Sequence, residues 1–254
     1  MLCSFYSRAQ YAPHLLVLTD ANLIDVHHPV AAMHQTIVIK NGRIAEILPN
    51  NIAFPDSAVI INLKGKYVLP GLIDSHVHMA TDPSGVDNRV HTLQVLQQML
   101  YSGVTTVRDM AGDGRVLAEL ARNANVGEIP SPDIYYSALM AGALFFSDPR
   151  TQASTKGGTN GNMPYMKAIT DTTDMTLAVA QAKGCGATGI KLYANLSGEL
   201  ANKIVTEAKK QNIPVWAHAW LQGAKPSDLV KAGVIAISHA PLLIYEKMNK
   251  VPDA

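Results

Sequence analysis

Cysteine is scarce: Cys3 and Cys185 are the only two, too few for the disulfide framework of a small secreted scaffold. Charge is also scarce, at 16% Asp, Glu, Lys and Arg, and it is balanced, with 21 basic and 20 acidic residues giving a net charge of +1. That balance leaves no electrostatic footprint for nucleic acid or an anionic lipid surface. No uninterrupted apolar run approaches the ~20 residues that a membrane helix needs. The opening segment, MLCSFYSRAQYAPHLLVL, lacks the apolar core and small-residue cleavage site of a signal peptide. The expectation is a cytoplasmic protein with neither membrane nor nucleic acid as a partner. Material for a core is abundant. Of the 254 residues, 48% are apolar, which excludes a disordered chain.

Residues 15–69 read as short strands and turns. Leu15–Leu18, Thr36–Lys40 and Arg43–Leu48 are rich in Leu, Ile and Val. Asn41-Gly42 between the last two is a hairpin signal, because both residues tolerate positive φ. Val59–Leu63 and Lys66–Leu69 add two more candidates around Gly65. Without helical periodicity, residues 1–66 are expected to form a small β domain.

From Val68 onward, apolar strand-like segments alternate with helical ones. The strand candidates are Leu72–His76, Val104–Arg108, Ile134–Leu139, Ile190–Ala194, Val215–Ala219 and Ile235–Ser238. Spacings of three and four predict helices over Val90–Tyr101, Arg115–Arg122, Thr173–Lys183 and Ser197–Gln211. Gly103, Gly184 and Gly233 stand where left-handed C-caps want glycine, and Ser197 and Ser227 where N-caps want Ser. Such alternation means βαβ units and a parallel sheet covered by helices, which a doubly wound sheet or a (β/α) barrel both satisfy. Gly142–Thr172 reads as a long loop of the kind that forms a lid or binding loop. Leu221–Lys225 is a second candidate specificity loop. Neither carries a charge signature that selects a substrate.

The strongest chemical signal is Asp74-Ser75-His76-Val77-His78 after an apolar run. Residues two apart on a strand point the same way, so His76 and His78 present two imidazoles side by side, a geometry suited to chelating a metal. His218 closes the next-to-last strand candidate and His239 the last. In parallel α/β sheets and barrels the carboxyl ends of the strands converge on the active site, which would bring four histidines from three strands together. His14, His27, His28, His34 and His91 have no such placement. Lys191, inside an apolar strand, is expensive to bury as an ammonium. Snorkelling, a Schiff-base nucleophile of lowered pKa and carbamylation by CO₂ would each explain it. Tyr193 shares its face and could hydrogen-bond substrate.

The run Val68-Leu69-Pro70-Gly71-Leu72-Ile73-Asp74-Ser75-His76-Val77-His78 resembles the signature of the amidohydrolase superfamily, and the Gly-Ile-Lys, His218 and Ser238-His239-Ala240 segments follow in that family's order. The overall style is similar to its imidazolonepropionase-like and Xaa-Pro dipeptidase-like branch. The resemblance implies an α/β fold: a TIM-type (β/α) barrel over residues 67–254, about six of eight strands being legible, with a small N-terminal β-sandwich over residues 1–66. It implies one or two divalent metals, usually zinc. His76 and His78 would hold the more buried ion, carboxylated Lys191 would bridge, and His218 and His239 would hold the more exposed one. A metal-activated hydroxide would then cleave a C–N bond in an amide, short peptide or cyclic amide. Lys191, His218 and His239 would be catalytic and Tyr193 substrate-binding.

One departure stands out. The family places an essential Asp after the eighth strand, whereas Asp253 lies in a polar tail with no apolar strand before it. A truncated or degenerate, non-catalytic relative is therefore an alternative, as is a Schiff-base lyase or aldolase using Lys191. A full barrel typically takes ~250 residues, so the expectation is a chain that is weakly stable and close to inactive, or one that is part of a longer or interrupted gene product. Its partner is expected to be a small-molecule or short-peptide substrate, and a homo-oligomer is compatible with the sequence.

Overall fold

A computed structural model describes residues 14–49, 53–80 and 88–248; Cys3 and Asp253 lie outside them. The chain divides into two units between Pro70 and Gly71.

The first unit holds β1 (Leu15–Leu23), β2 (Ala32–Lys40), β3 (Arg43–Pro49), β4 (Val59–Asn62) and β5 (Tyr67–Val68) in one five-stranded sheet. The order is β3-β2-β1-β4, with β5 also on β1. Asn41 and Gly42 take φ of 50° and 74°, the positive pair that a tight hairpin between β2 and β3 demands. Val17, Ala21, Ile37 and Val38 are buried.

The second unit alternates strand and helix. In chain order come β6 (Leu72–Val77), α1 (Arg89–Tyr101), β7 (Val104–Asp109), α2 (Gly114–Asn125) and β8 (Asp133–Gly142). A 3-10 turn (Ala143–Ser147) and α3 (Pro149–Ser154) lead to β9 (Asn162–Met163) and β10 (Met166–Ile169). Then follow α4 (Met175–Gly184), β11 (Gly189–Leu192), β12 (Leu196–Ser197), α5 (Gly198–Lys210), β13 (Val215–His218), β14 (Gln222–Gly223), α6 (Pro226–Ala232) and β15 (Ala236–Ser238). Strands β6, β7, β8, β11, β13 and β15 pair in parallel in that spatial order, six strands of a TIM-type barrel. Among the described residues no ladder joins β6 to β15. Leu72 and Ile73 on β6 are accordingly 51% and 70% exposed.

The main core lies between the sheet and its helices. Ala138, Met140, Ile190, Leu192 and Ala217 meet Leu117, Val179, Ile204, Ala208 and Leu229 there. The strands contribute alternate residues, and the helices contribute their three-and-four stripe.

Three expectations need correction. Gly142–Thr172 is not a plain loop: β10 runs parallel to β8 beyond the end of β7, and β9 folds back on β10. Lys225 rather than Ser227 caps α6, because Pro226 takes the first helical position and the Ser227 N–H is bound by the Glu246 carboxylate at 2.8 Å. Gly184 is still helical, and the left-handed residue after α4 is Gly186, with φ of 86°. Gly233 does cap α6 in the left-handed region.

Candidate active site

The parallel ladder delivers the predicted residues to one place. His76 is on β6 and His78 just past its end; His218 ends β13, and His239 follows β15. Their rings pack in a chain. The centroids of His76 and His78 are 5.4 Å apart, those of His76 and His239 4.7 Å, and those of His239 and His218 4.5 Å. Tyr193 stands edge-on to His218 at 5.0 Å and to Phe145 at 4.8 Å.

Three imidazoles are held through Nδ1. That of His78 donates to the Ala111 carbonyl at 3.0 Å, and that of His218 donates to the Trp220 carbonyl at 3.0 Å. Nδ1 of His76 lies 3.1 Å from the Ser238 hydroxyl. For His78 the carbonyl on Nδ1 fixes the tautomer and leaves Nε2 with its lone pair, the usual support of a metal-binding histidine; Nδ1 of His218 also lies 3.3 Å from the Trp220 N–H. One anchor and one of the histidines take uncommon backbone. Ala111 has φ of 96° and His239 φ of 68°, left-handed values that cost energy in non-glycine residues and gather at functional sites.

Lys191 is 3% exposed, in the middle of β11. Its Nζ donates to the Met110 carbonyl at 2.9 Å and lies 5.1 Å from the centre of the Tyr193 ring. Desolvation pulls its pKa down to about 8, against the attraction of nearby Asp109. The same desolvation, reinforced by the Lys191 charge, holds His76 at about 4; for His218, desolvation and then the His239 charge give about 4. His78 and His239 are also lowered, first by desolvation and then by Lys191. All four imidazoles are thus neutral at pH 7, the form that ligates metal.

Sequence reading passed over Asp109. It ends β7 with no exposure, its Oδ2 accepts the Met79 N–H, and its Oδ1 has no hydrogen-bond partner. Burial raises its pKa to about 6 even with Lys191 nearby. Only the folded sheet places this carboxylate beside the lysine, since the sequence Val107-Arg108-Asp109 carries no signal for it.

Above the cluster opens a cavity of about 430 Å³. The four histidines, Lys191 and Tyr193 line it together with Met110, Leu139, Phe145, Met166 and Arg150. Phe145, Arg150 and Met166 come from the 142–172 segment, which the sequence marked only as a binding loop. A larger groove of about 580 Å³ lies at the amino-terminal end of β8, beside Asp133 and Cys185, and contains none of these histidines. Ligands of parallel barrels bind at the carboxyl ends, so the smaller cavity is the candidate site.

Among the described residues, no three His, Cys, Asp or Glu side chains form a finished metal cage; the imidazoles rest ring against ring. The chemistry of the donors still fits a divalent ion: four neutral imidazoles with Nδ1 engaged on three, and an amine poised to lose its proton.

Fold and site together define a TIM-type barrel with a strand-end cluster of histidines around a buried lysine. The amidohydrolase family model matches residues 67–247, and the chain belongs to that family. It is 29% identical over 154 residues to an adenine deaminase of Listeria monocytogenes, covering 61% of this chain and 23% of that one. It is 40% identical over 67 residues to an imidazolonepropionase of Vibrio cholerae, covering 25% and 16%. Among solved structures, a Xaa-Pro dipeptidase with bound methionine superposes with a TM-score of 0.69 at 25% identity, covering 91% of this chain and 65% of that one. A prolidase complexed with N-methylphosphonate-L-proline gives 0.71 at 24% identity, covering 88% and 60%, a likeness of fold. The chain thus spans less than two thirds of the length of these relatives. No helix among the described residues is long and apolar enough to cross a membrane.

Proposed function

We propose that the protein is a metal-dependent hydrolase of a C–N bond in an amide, short peptide or cyclic amide. The observation that carries this reading is the set of four neutral imidazoles from three strand ends, packed ring to ring and lining one cavity with Lys191. His76 and His78 would hold one divalent ion, zinc being the expected choice, and His218 and His239 a second. A bound divalent ion would lower the pKa of a water and polarise the substrate carbonyl.

The remaining chemistry belongs to the chain. The Ala111 carbonyl keeps His78 in one tautomer, and the Trp220 backbone orients the His218 ring. Lys191, lowered to about 8, is neutral in roughly a tenth of molecules at pH 7, and the neutral amine is the form that adds to CO₂. The resulting carbamate would reverse the sign of the charge among the histidines and supply two oxygen ligands. Tyr193, beside His218 and lining the cavity, would hydrogen-bond the substrate. The apolar wall of Met110, Leu139, Phe145 and Met166 excludes water from the bound bond and strengthens each polar contact there.

The test is elemental analysis of the purified protein alongside the double variant His76→Ala/His78→Ala. Near-stoichiometric zinc or a similar divalent ion in the wild type, and loss of about half or more in the variant, is expected. Full metal content in the double variant would remove the assignment. Borohydride trapping with a carbonyl substrate tests the Schiff-base alternative, which gives the four histidines no role.

A further inference from the structure

We infer that Asp109 is a positioning residue: its carboxylate clips the chain just after His78 to the end of β7, and that clip sets the orientation and tautomer in which the His78 imidazole meets a metal. The inference rests on the reading of His78 as a metal ligand and assigns a residue that acts through it.

Strand β6 ends at Val77, so His78 stands one residue past the regular ladder. The last ladder contact pairs Val77 with Asp109, and the Met110 N–H donates to the Val77 carbonyl at 2.8 Å. Beyond it, side chains continue the junction. The Met79 N–H donates to Oδ2 of Asp109, so a carboxylate oxygen stands where another strand carbonyl would otherwise receive it. The Met79 carbonyl in turn accepts from Oγ1 of Thr92 at 2.9 Å. The ring of His78 donates from Nδ1 to the Ala111 carbonyl at 3.0 Å. His78 is thereby held by the backbone before it, the backbone after it and its own ring, and residues 109–111 supply a group to all three holds.

The same three residues reach Lys191, whose Nζ donates to the Met110 carbonyl at 2.9 Å. Ala111 keeps a left-handed φ of 96°, a conformation that persists in a non-glycine residue only where its surroundings hold it. The Asp109 clip and the Lys191 bond are fixed points on the two residues before it.

Asp109 has no exposure, and its Oδ1 has no hydrogen-bond partner. An apolar side chain of similar size would be cheaper to bury there. What the carboxylate supplies, and an apolar group does not, is an acceptor for the buried Met79 N–H. Without it that N–H is orphaned and the turn after His78 is released. The imidazole then leaves the Ala111 carbonyl, and the bond that selects its tautomer goes with it.

The test uses the full chain with ¹⁵N-labelled histidine, first after chelator treatment and then in titration with Co²⁺. Proton–nitrogen correlation spectra read the tautomer of His78, whose signals are identified by their loss in His78→Gln. Wild type is expected to show the Nδ1–H tautomer. Asp109→Leu, which preserves volume, and Asp109→Ala should each show a mixture of tautomers and bind Co²⁺ about tenfold or more weakly, the scale on which groups that orient a ligating histidine act. Asp109→Asn, whose amide oxygen still accepts the Met79 N–H, should restore both readings. Leu192→Ala, a destabilised variant with an intact clip, should leave both unchanged. A second readout needs no variant: the Met79 amide of wild type should be protected from hydrogen exchange. The inference is overturned by rapid exchange at Met79, by a wild-type tautomer other than Nδ1–H, by an unchanged tautomer in Asp109→Leu and Asp109→Ala, or by an equal change in Leu192→Ala. A wild type that takes up no Co²⁺ while the tautomer responds as expected removes the metal reading and leaves the clip standing.

Discussion

Replacing Asp109 with Asn should change stability in a way that depends on pH. The carboxylate is fully buried, with one oxygen unpartnered and the other held by the Met79 N–H. Its pKa is raised from 3.8 to about 6, chiefly by desolvation, with the attraction of Lys191 already opposing that rise. A rise of that size corresponds to about 3 kcal/mol of preference for the protonated form in the folded state. The folded pKa exceeds the unfolded one, so this stability is fully present below pH 3.8 and is lost as the pH rises through about 6. Asn mimics the neutral acid and does not titrate. Relative to wild type, metal-free Asp109→Asn should therefore gain about 2.4 kcal/mol on going from pH 4 to pH 7.5, whatever cost the amide carries at both values. Urea denaturation of chelator-treated protein at the two pH values reads this directly. A difference between variant and wild type that is the same at both would refute the account of Asp109 as a strained, charged group. A group that destabilises the free fold at neutral pH, beside Lys191 and next to the His78 loop, fits the pattern of stability yielded at functional sites.

Two further outcomes follow from packing. Leu192 has no exposure in the core between β11 and its helices, so Leu192→Ala should cost about 3 kcal/mol in a denaturant titration, and a loss well under 1 kcal/mol would mean the core had collapsed around the gap. A Cβ on Gly189 would come within 2.1 Å of the Trp216 ring, over which Arg108 is stacked at 4.4 Å. Gly189→Ala should therefore displace the indole and shift Trp fluorescence, and an unchanged spectrum at unchanged stability would contradict that contact.

The sequence alone determined the elements and the direction of the site. Short apolar runs ending at His76, His218 and His239, separated by three-and-four stripes, admit parallel strands with helices between them, and strand-end residues then share one face. That logic is local, because side-chain direction follows from backbone period. The hairpin at Asn41-Gly42 and the cap at Gly233 were legible for the same reason: one residue's φ decides them. Tertiary structure decided everything that depends on residues far apart in the chain. Asp109 looks ordinary in Val107-Arg108-Asp109 and becomes the neighbour of Lys191 only when β7 and β11 converge. The fold of residues 142–172 onto β8 brings Phe145 and Arg150 over a lysine some 40 residues later, and no local pattern encodes that approach. The pKa values of the cluster belong to the same class. They arise from desolvation and from charges brought together by several strands, quantities that exist only once the strands have assembled.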